Sequence, residues 1–170
     1  MKLGIDFGRV IMEAAGDSVQ ADTSFLGSSF NDAMRTPAST GSIDSIRELV
    51  DVFAGEVWIV SKCGPSVEQK TRAWLSKNDF YGATGLNKEN LRFCRQRNEK
   101  AGICRKLGIG YFVDDRIDVL SHMVGVVPHL YLFGQQSRGT ECPDYAVETS
   151  NWEVALARIL EDVNLVCQKE

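Results

Sequence analysis

Short apolar runs alternate along the chain with segments whose apolar residues recur at helical spacing. Two of the runs, residues 57–60 and 111–113, are continuous and typical of strands buried on both faces of a sheet. The segments of helical spacing separate the runs, an order that predicts a parallel sheet covered by helices on both sides. We therefore expect an α/β fold, a Rossmann-like three-layer sandwich with a mostly parallel sheet.

Polar and glycine residues give the boundaries of the predicted elements. Ser42, Ser66 and Asn151 are placed to cap the starts of helices, Gly55 follows the end of the helix that Ser42 begins, and Gly108 follows the end of another. Residues 78–90 are rich in turn-forming residues and are predicted to be irregular. The predicted helices are 42–53, 66–77, 100–107, 116–124 and 151–166, and the predicted strands are 2–7, 57–60, 91–94, 111–113 and 129–133.

The segment from about residue 12 to residue 42 is long and polar, with few apolar residues. Irregular chain of this length in a compact domain is usually functional or partly folded. We interpret it as a loop or minimal cap over the site, with Phe25, Phe30 and Met34 packed on its underside. Residues 1–170 would then form a single domain, and the segment is too short to hold a full cap domain.

Composition and charge narrow the classes of partner. The 170 residues carry a net charge of -4, which gives no basic surface for duplex nucleic acid. No apolar run approaches the roughly 20 residues that span a bilayer, and no signal peptide is evident. The five cysteines form no CxxC pair, so reduced thiols in a cytoplasmic protein are expected. Nothing in the sequence indicates an oligomeric state.

Acidic residues follow two of the predicted strands. Asp6 comes at the end of the first strand, and Asp114 and Asp115 follow another. Because the carboxyl ends of parallel strands meet at one edge of the sheet, these three side chains are expected to converge. Two like charges about 4 Å apart repel by roughly 4 kcal/mol at an effective dielectric of about 20, and a hard dication relieves this repulsion. Oxygen ligands alone favour Mg²⁺ over zinc.

Other polar residues are expected at the same edge. Ser61 ends a strand before a helix N-terminus, which is a suitable position for binding an anion. Lys100 begins a helix and would bring a cation there, and Lys62 and Arg9 are further candidates for contacts with a substrate phosphate. A carboxylate, a magnesium ion, a hydroxyl and a lysine together indicate phosphoryl transfer.

These residues lie in four motifs whose order resembles that of the haloacid dehalogenase superfamily, and the resemblance covers nearly the whole chain. The superfamily's first motif is a strand ending in an acid, and residues 6–10 match it as Asp-Phe-Gly-Arg-Val. The second is a strand ending in Ser61, and the third is Lys100. The fourth is a strand ending in paired acids, here Asp114 and Asp115. Each motif is weak alone, but four in this order are specific.

The resemblance implies a magnesium-dependent phosphohydrolase that works through an aspartyl-phosphate. Asp6 would be the nucleophile and a magnesium ligand, and the backbone carbonyl of Gly8 would also bind the metal. Ser61 and Lys100 would hold the transferring phosphate. Asp114 would bind magnesium with support from Asp115 or, one helical turn later, Asp118.

Gly8 departs from the pattern of the superfamily. Its phosphatases usually have a second aspartate there, which acts as general acid and base. Glu13, Asp17 and Asp22 are candidates to replace it, and a good leaving group would also make it unnecessary. The expected substrate is a small phosphate monoester, although an open site also admits a phosphorylated macromolecule. The alternative is a catalytically weak or inactive binding protein that retains the fold.

Overall fold

One parallel sheet organises the part of the chain that the computed structural model describes, residues 1–13 and 29–168. Within these residues the sheet has six strands, and every neighbouring pair is parallel. The strands are β1 (Leu3–Ile5), β2 (Val57–Lys62), β3 (Leu91–Cys94), β4 (Tyr111–Asp114), β5 (His129–Phe133) and β6 (Val147–Thr149). Their order across the sheet is β3-β2-β1-β4-β5-β6, so β1 lies in the interior of the sheet between β2 and β4.

Helices cover both faces of the sheet and complete the three-layer α/β fold that the sequence predicts. In the described residues they are α1 (Phe30–Arg35), α2 (Ser42–Val52), α3 (Pro65–Lys77), α4 (Phe80–Thr84), α5 (Glu99–Leu107), α6 (Ile117–Ser121) and α7 (Trp152–Cys167). None of the helices in these ranges has both the length and the hydrophobicity that a bilayer crossing requires.

Alternate residues of the strands supply two separate cores. Ile5 and Val113 pack on one face with residues of α2, α3 and α7, whereas Val60 and Phe112 pack on the other face with residues of α5 and α6. Gly4 is required at this second face, because a Cβ atom there would lie 2.4 Å from the ring of Phe112. Because Gly4 has no side chain, the ring of Phe112 on β4 lies directly against β1, the strand that leads to Asp6.

Several predicted boundaries are corrected by backbone geometry. Gly41, rather than Ser42, is the N-cap of α2, and the Ser42 hydroxyl is buried without a hydrogen-bond partner in the described residues. Gly64 caps α3, with Pro65 in its first turn, so Ser66 lies inside the helix. Asn151 caps α7 as predicted, accepting a hydrogen bond from the Val154 amide at 3.0 Å.

Three short elements were not predicted, namely α1, α4 and β6, and one helix is shorter than predicted. Helix α4 lies between two left-handed caps, Asp79 with a φ of 50° and Gly85, and residues typical of turns here form a single helical turn. Strand β6 reads Val-Glu-Thr with two exposed residues, which is too short and polar for an apolar-run signal. Helix α6 covers only five residues of the predicted 116–124.

The segment at 12–42 is described only at its two ends, and Phe25 lies outside the described residues. Met12 forms an isolated bridge with Ala38, which brings the two ends together. Met34 is buried as predicted, but Phe30 is 52% exposed, so its predicted burial is wrong. Phe30 is the first residue of α1, and only Ala33 and Met34 of that helix are buried.

Candidate active site at the carboxyl edge of the sheet

The first and fourth strands place Asp6 and Asp114 side by side. Ile5 pairs in register with Val113, so each aspartate comes directly after a paired residue at the same edge of the sheet. The Asp6 amide donates a hydrogen bond to the Val113 carbonyl at 2.9 Å, which extends the pairing by one residue. Both carboxylates are buried, and the Asp114 side chain is fully inaccessible to solvent. Such carboxylates need a cationic partner.

Lys100 supplies that partner. It is the second residue of α5, and its Nζ atom lies 2.7 Å from Asp6 Oδ1 and 2.7 Å from Asp114 Oδ2. The lysine is only 2% exposed, and its ammonium lies 5.7 Å from the centre of the Phe112 ring. The short contacts and the burial make this a charge-assisted network rather than a solvated surface pair.

The pKa values of Lys100 and Asp114 are both raised, but for different reasons. Burial favours the neutral form of Lys100, but the charges of Asp114 and Asp6 outweigh it and raise the pKa of Lys100 above its ordinary value. Burial also raises the pKa of Asp114, although Lys100 and the backbone amide of Arg116, 3.0 Å away, oppose the rise. Lys100 therefore remains a cation at neutral pH, and Asp114 depends on it for its charge.

Asp115 is held by an arginine that was predicted to contact substrate. Arg9 Nε lies 3.3 Å from Asp115 Oδ2, and the Asp115 side chain is 7% exposed. Arg9 adopts a left-handed φ of 61°, which is uncommon for a residue other than glycine. Arg9 is therefore close enough to Asp115 for an ion pair, but its Nε atom makes no hydrogen bond to the described residues, and its contact with a substrate phosphate stays a prediction.

Asp118 does not join the three buried acids. It lies on α6, with Arg97 at 3.3 Å and Arg116 at 3.0 Å, and its side chain is 51% exposed. Burial is the largest single influence on Asp118 and raises its pKa, but the hydrogen bond from Arg116 and the charges of Arg116 and Arg97 together lower the pKa overall. Asp118 was predicted to support the metal because it comes one helical turn after Asp114. Its exposed pairs with two arginines give no support to that role.

The donor atoms of the three buried acids fit a hard dication. One carboxylate oxygen from each of Asp6, Asp114 and Asp115 lies within 4.8 Å of the others. Ligands of octahedral Mg²⁺ at about 2.1 Å stand about 3.0 Å apart when adjacent and about 4.2 Å apart when opposite, so two oxygens 4.8 Å apart would need to approach by about 0.6–1.8 Å. The three acids carry three negative charges against the two positive charges of Lys100 and Arg9. The remaining charge also favours a cation.

Strand β2 brings the other predicted residues to the same edge. Ser61 lies two residues beyond Ile59, which pairs with Ile5, so its position along the sheet is level with the turn after Asp6. Ser61 is 7% exposed, and the next residue, Lys62, is exposed at the end of the strand. Cys63 is buried beside them, and burial raises the pKa of its thiol to about 11, so it remains a neutral thiol at neutral pH.

The position of Gly8 could accept a side chain. A Cβ atom built there meets no heavy atom of the described residues within 4 Å, and the φ of Gly8 does not lie in the left-handed range that glycine favours. Neither packing nor backbone conformation therefore requires glycine. Of the proposed replacements for the missing acid, Glu13 is exposed, and Asp17 and Asp22 lie outside the described residues.

The sequence predicts a loop led by Gly134 after β5, but sequence reasoning missed that this loop contacts the site. Gln136 donates from Nε2 to the carbonyl oxygens of Asp115 at 3.2 Å and of Phe133 at 3.2 Å, which joins this loop to the one after β4. The signal was available, because Gly134 follows a predicted strand and the ends of parallel strands share one edge. The amides were overlooked because neutral side chains do not create the charge conflict that identified the acids.

No protein-family model matches the chain, and no curated protein matches it either. The functional interpretation therefore depends on the residues and geometry of this edge alone.

Proposed function

We propose that this protein is a magnesium-dependent phosphohydrolase of the haloacid dehalogenase type, acting on a phosphate monoester through an aspartyl-phosphate on Asp6. The observation that carries the proposal is the arrangement of Asp6, Asp114 and Asp115 around one point, with Lys100 Nζ 2.7 Å from two of them. This is the donor set that phosphoryl transfer requires: a carboxylate nucleophile, oxygen ligands for a cation and a buried ammonium.

The residues divide the chemistry between them. Lys100 binds Asp6 through Oδ1, so the other carboxylate oxygen of Asp6 is the one we assign to attack on phosphorus. Attack forms the aspartyl–phosphorus bond and breaks the bond to the leaving oxygen, and water then releases phosphate. Lys100 and Ser61 would hold the phosphate oxygens, and Lys62 lies at the same edge. Magnesium, held by Asp6, Asp114, Asp115 and the Gly8 carbonyl, would neutralise charge developing on the phosphate.

Hydrolysis of a generic aryl phosphate tests this proposal. The parent protein should release the phenol when Mg²⁺ is present and lose the activity when a chelator removes it. An Asp6→Asn variant keeps the size of the side chain but replaces the nucleophile, so it should be inactive. Release of phenol at equal rates by the parent protein and Asp6→Asn would contradict the assignment, as would complete inactivity of a parent protein that binds Mg²⁺.

A second function, binding without turnover, is favoured by Gly8. The structure has space for a side chain there, so glycine serves no packing purpose and the usual acid is simply missing. A protein of this kind would bind a phosphorylated ligand and Mg²⁺ but would not cleave the ester. Retention of phosphate and metal binding together with no hydrolysis of any ester would support this alternative.

A further inference from the structure

A cleft of about 180 Å³ opens beside the buried acids, between the loops that follow β4 and β5. Asp115 belongs both to the acid cluster and to the lining of the cleft, so the cleft begins where the phosphate would lie. The described residues that line it are Arg9, Asp115, Arg116, Ile117, Asp118, Gln135, Gln136 and Ser137.

The charges of the lining are already balanced. Arg9 pairs with Asp115 at 3.3 Å, and Arg116 pairs with Asp118 at 3.0 Å. The lining therefore has no net charge to attract an anion, although Arg9 Nε makes no hydrogen bond to the described residues. The described lining also contains no aromatic ring on which a nucleobase could stack.

Uncharged hydrogen-bonding groups remain. Gln135 and Ser137 are exposed at the mouth of the cleft, and their side chains make no hydrogen bond to other described residues. Gln136 differs, because its Nε2 atom donates to three backbone carbonyl oxygens and so fixes the loop in place. Within the described residues, the loop thus presents an amide and a hydroxyl that are available for hydrogen bonds, from a backbone that Gln136 holds in place, which suits the recognition of hydroxyl groups.

The size of the cleft limits the ligand. Pockets for drug-sized molecules are about 300–1,000 Å³, and about 180 Å³ is considerably less. A leaving group of a few carbon atoms, or one sugar ring in an open cleft, is the appropriate size.

We propose that this cleft holds the leaving group of the substrate and selects a small, neutral polyol, so that the substrate is a phosphate ester of a polyol or simple sugar. The inference rests on the proposed function, because it assigns the cleft to the group that departs from phosphorus.

Two substrates that differ only in hydroxyl groups provide the test. Glycerol phosphate and propyl phosphate have the same chain length, and the alcohol that each one releases is a poor leaving group. We expect kcat/KM for glycerol phosphate to exceed that for propyl phosphate at least about tenfold, because each hydroxyl held by a hydrogen bond contributes roughly a two- to tenfold preference. In a Gln135→Ala variant this ratio should fall about three- to tenfold. Gln69→Ala, the same change at an exposed position of α3, should leave the ratio unchanged.

The outcomes separate this inference from the function on which it rests. Hydrolysis of an aryl phosphate with a glycerol-to-propyl ratio near one, or with a ratio that Gln135→Ala does not alter, would overturn the inference alone. Faster hydrolysis of a nucleoside monophosphate or of a phosphorylated hydroxy acid than of glycerol phosphate would also overturn it. Failure of the metal-loaded parent protein to hydrolyse even the aryl phosphate would overturn both proposals.

Discussion

At the scale of single residues, Lys100 determines whether the acids can be buried together. Its ammonium lies 2.7 Å from both Asp6 and Asp114. Asp114 is 0% exposed, so solvent water does not stabilise its charge. Removing one partner of a buried ion pair costs about 3–5 kcal/mol, because the other charge is left without compensation. We therefore expect Lys100 to stabilise the folded protein, in addition to the phosphate-binding role that we propose for it.

A Lys100→Met variant should lower the free energy of unfolding by about 3–5 kcal/mol in the absence of metal, as measured by urea denaturation. Lys106→Met, at an exposed position of the same helix, should change it by less than about 0.5 kcal/mol. Adding Asp114→Asn to Lys100→Met should restore part of the loss, since one buried charge is then removed. Equal stability of Lys100→Met and the parent protein would show that the acids do not require the lysine.

Gly8 raises a different question, namely the source of the proton for the leaving group. Its position accepts a side chain without a clash, so an aspartate can be introduced there. We expect Gly8→Asp to raise kcat for an alkyl phosphate by about 10²–10⁴-fold, the usual contribution of general acid catalysis. The gain should be smaller for an aryl phosphate, whose leaving group needs less protonation. Steady-state kinetics with both esters measures the difference.

Gly8→Asn is the matched control, because it adds a side chain of the same shape that does not act as an acid. It should not reproduce the gain. A decrease in kcat for the alkyl ester with Gly8→Asp would indicate that another group already supplies the proton and that the introduced carboxylate disturbs it.

At the scale of elements, contacts between loops and helices fix the edge that carries the site. Trp152 at the start of α7 donates from Nε1 to the Val10 carbonyl at 2.8 Å, which attaches the helix to the turn after Asp6. Glu68 of α3 lies 2.9 Å from Arg95 and 3.0 Å from Arg72. Arg95 in turn donates to the Cys63 carbonyl at 2.6 Å. Glu68 therefore connects the helix after β2 to the loop after β3.

The contribution of Glu68 should depend on pH. Hydrogen bonds from Arg95 and Arg72, partly opposed by burial, lower the pKa of Glu68 below 4.5. The stabilisation is therefore complete above that value and is lost as the pH falls through the lower, folded-state pKa. Glu68→Gln should reduce the free energy of unfolding at pH 7 by about 1 kcal/mol or less, since the arginines are half exposed.

Urea denaturation of Glu68→Gln and the parent protein at several pH values would measure this difference. Glu48→Gln, at an exposed position of α2 with no ion pair in the described residues, is the control and should differ little from the parent at any pH. A Glu68→Gln difference that increases as the pH falls below 4.5 would contradict the predicted sign.

At the scale of the whole molecule, the parallel sheet could be predicted more completely than the contacts of the site, although the order of its strands was not predicted. Continuous apolar runs gave the parallel sheet, because strands buried on both faces leave a strong hydrophobic signal. Strand β6 and helix α4 were not predicted. The strand has only three residues, two of them exposed, and the helix is one turn between left-handed residues, so neither produces a periodic pattern. The hydrophobic pattern of the sequence therefore predicts the long buried elements but not the short ones.

The convergence of Asp6, Asp114 and Lys100 could be predicted because parallel strands place their ends at one edge and like charges need a counter-ion. The roles of Arg9 and Asp118 could not, because a side chain's choice among nearby partners depends on distances that sequence spacing does not determine. Arg9 pairs with Asp115, and Asp118 pairs with exposed arginines instead of joining the acids. The contacts of Gln136 were missed for a different reason, because a neutral amide creates no charge conflict that would point to it.

The most direct measurement of the central claim is the detection of the phosphorylated intermediate. The parent protein, loaded with Mg²⁺ and mixed with a phosphate monoester, would be quenched in acid and its peptides analysed by mass spectrometry. We predict a phosphoryl group on the peptide that contains Asp6, sensitive to hydroxylamine and absent from Asp6→Asn. Release of phosphate with the phosphoryl group on another residue, or with none detected in rapid quench at any time, would contradict the account.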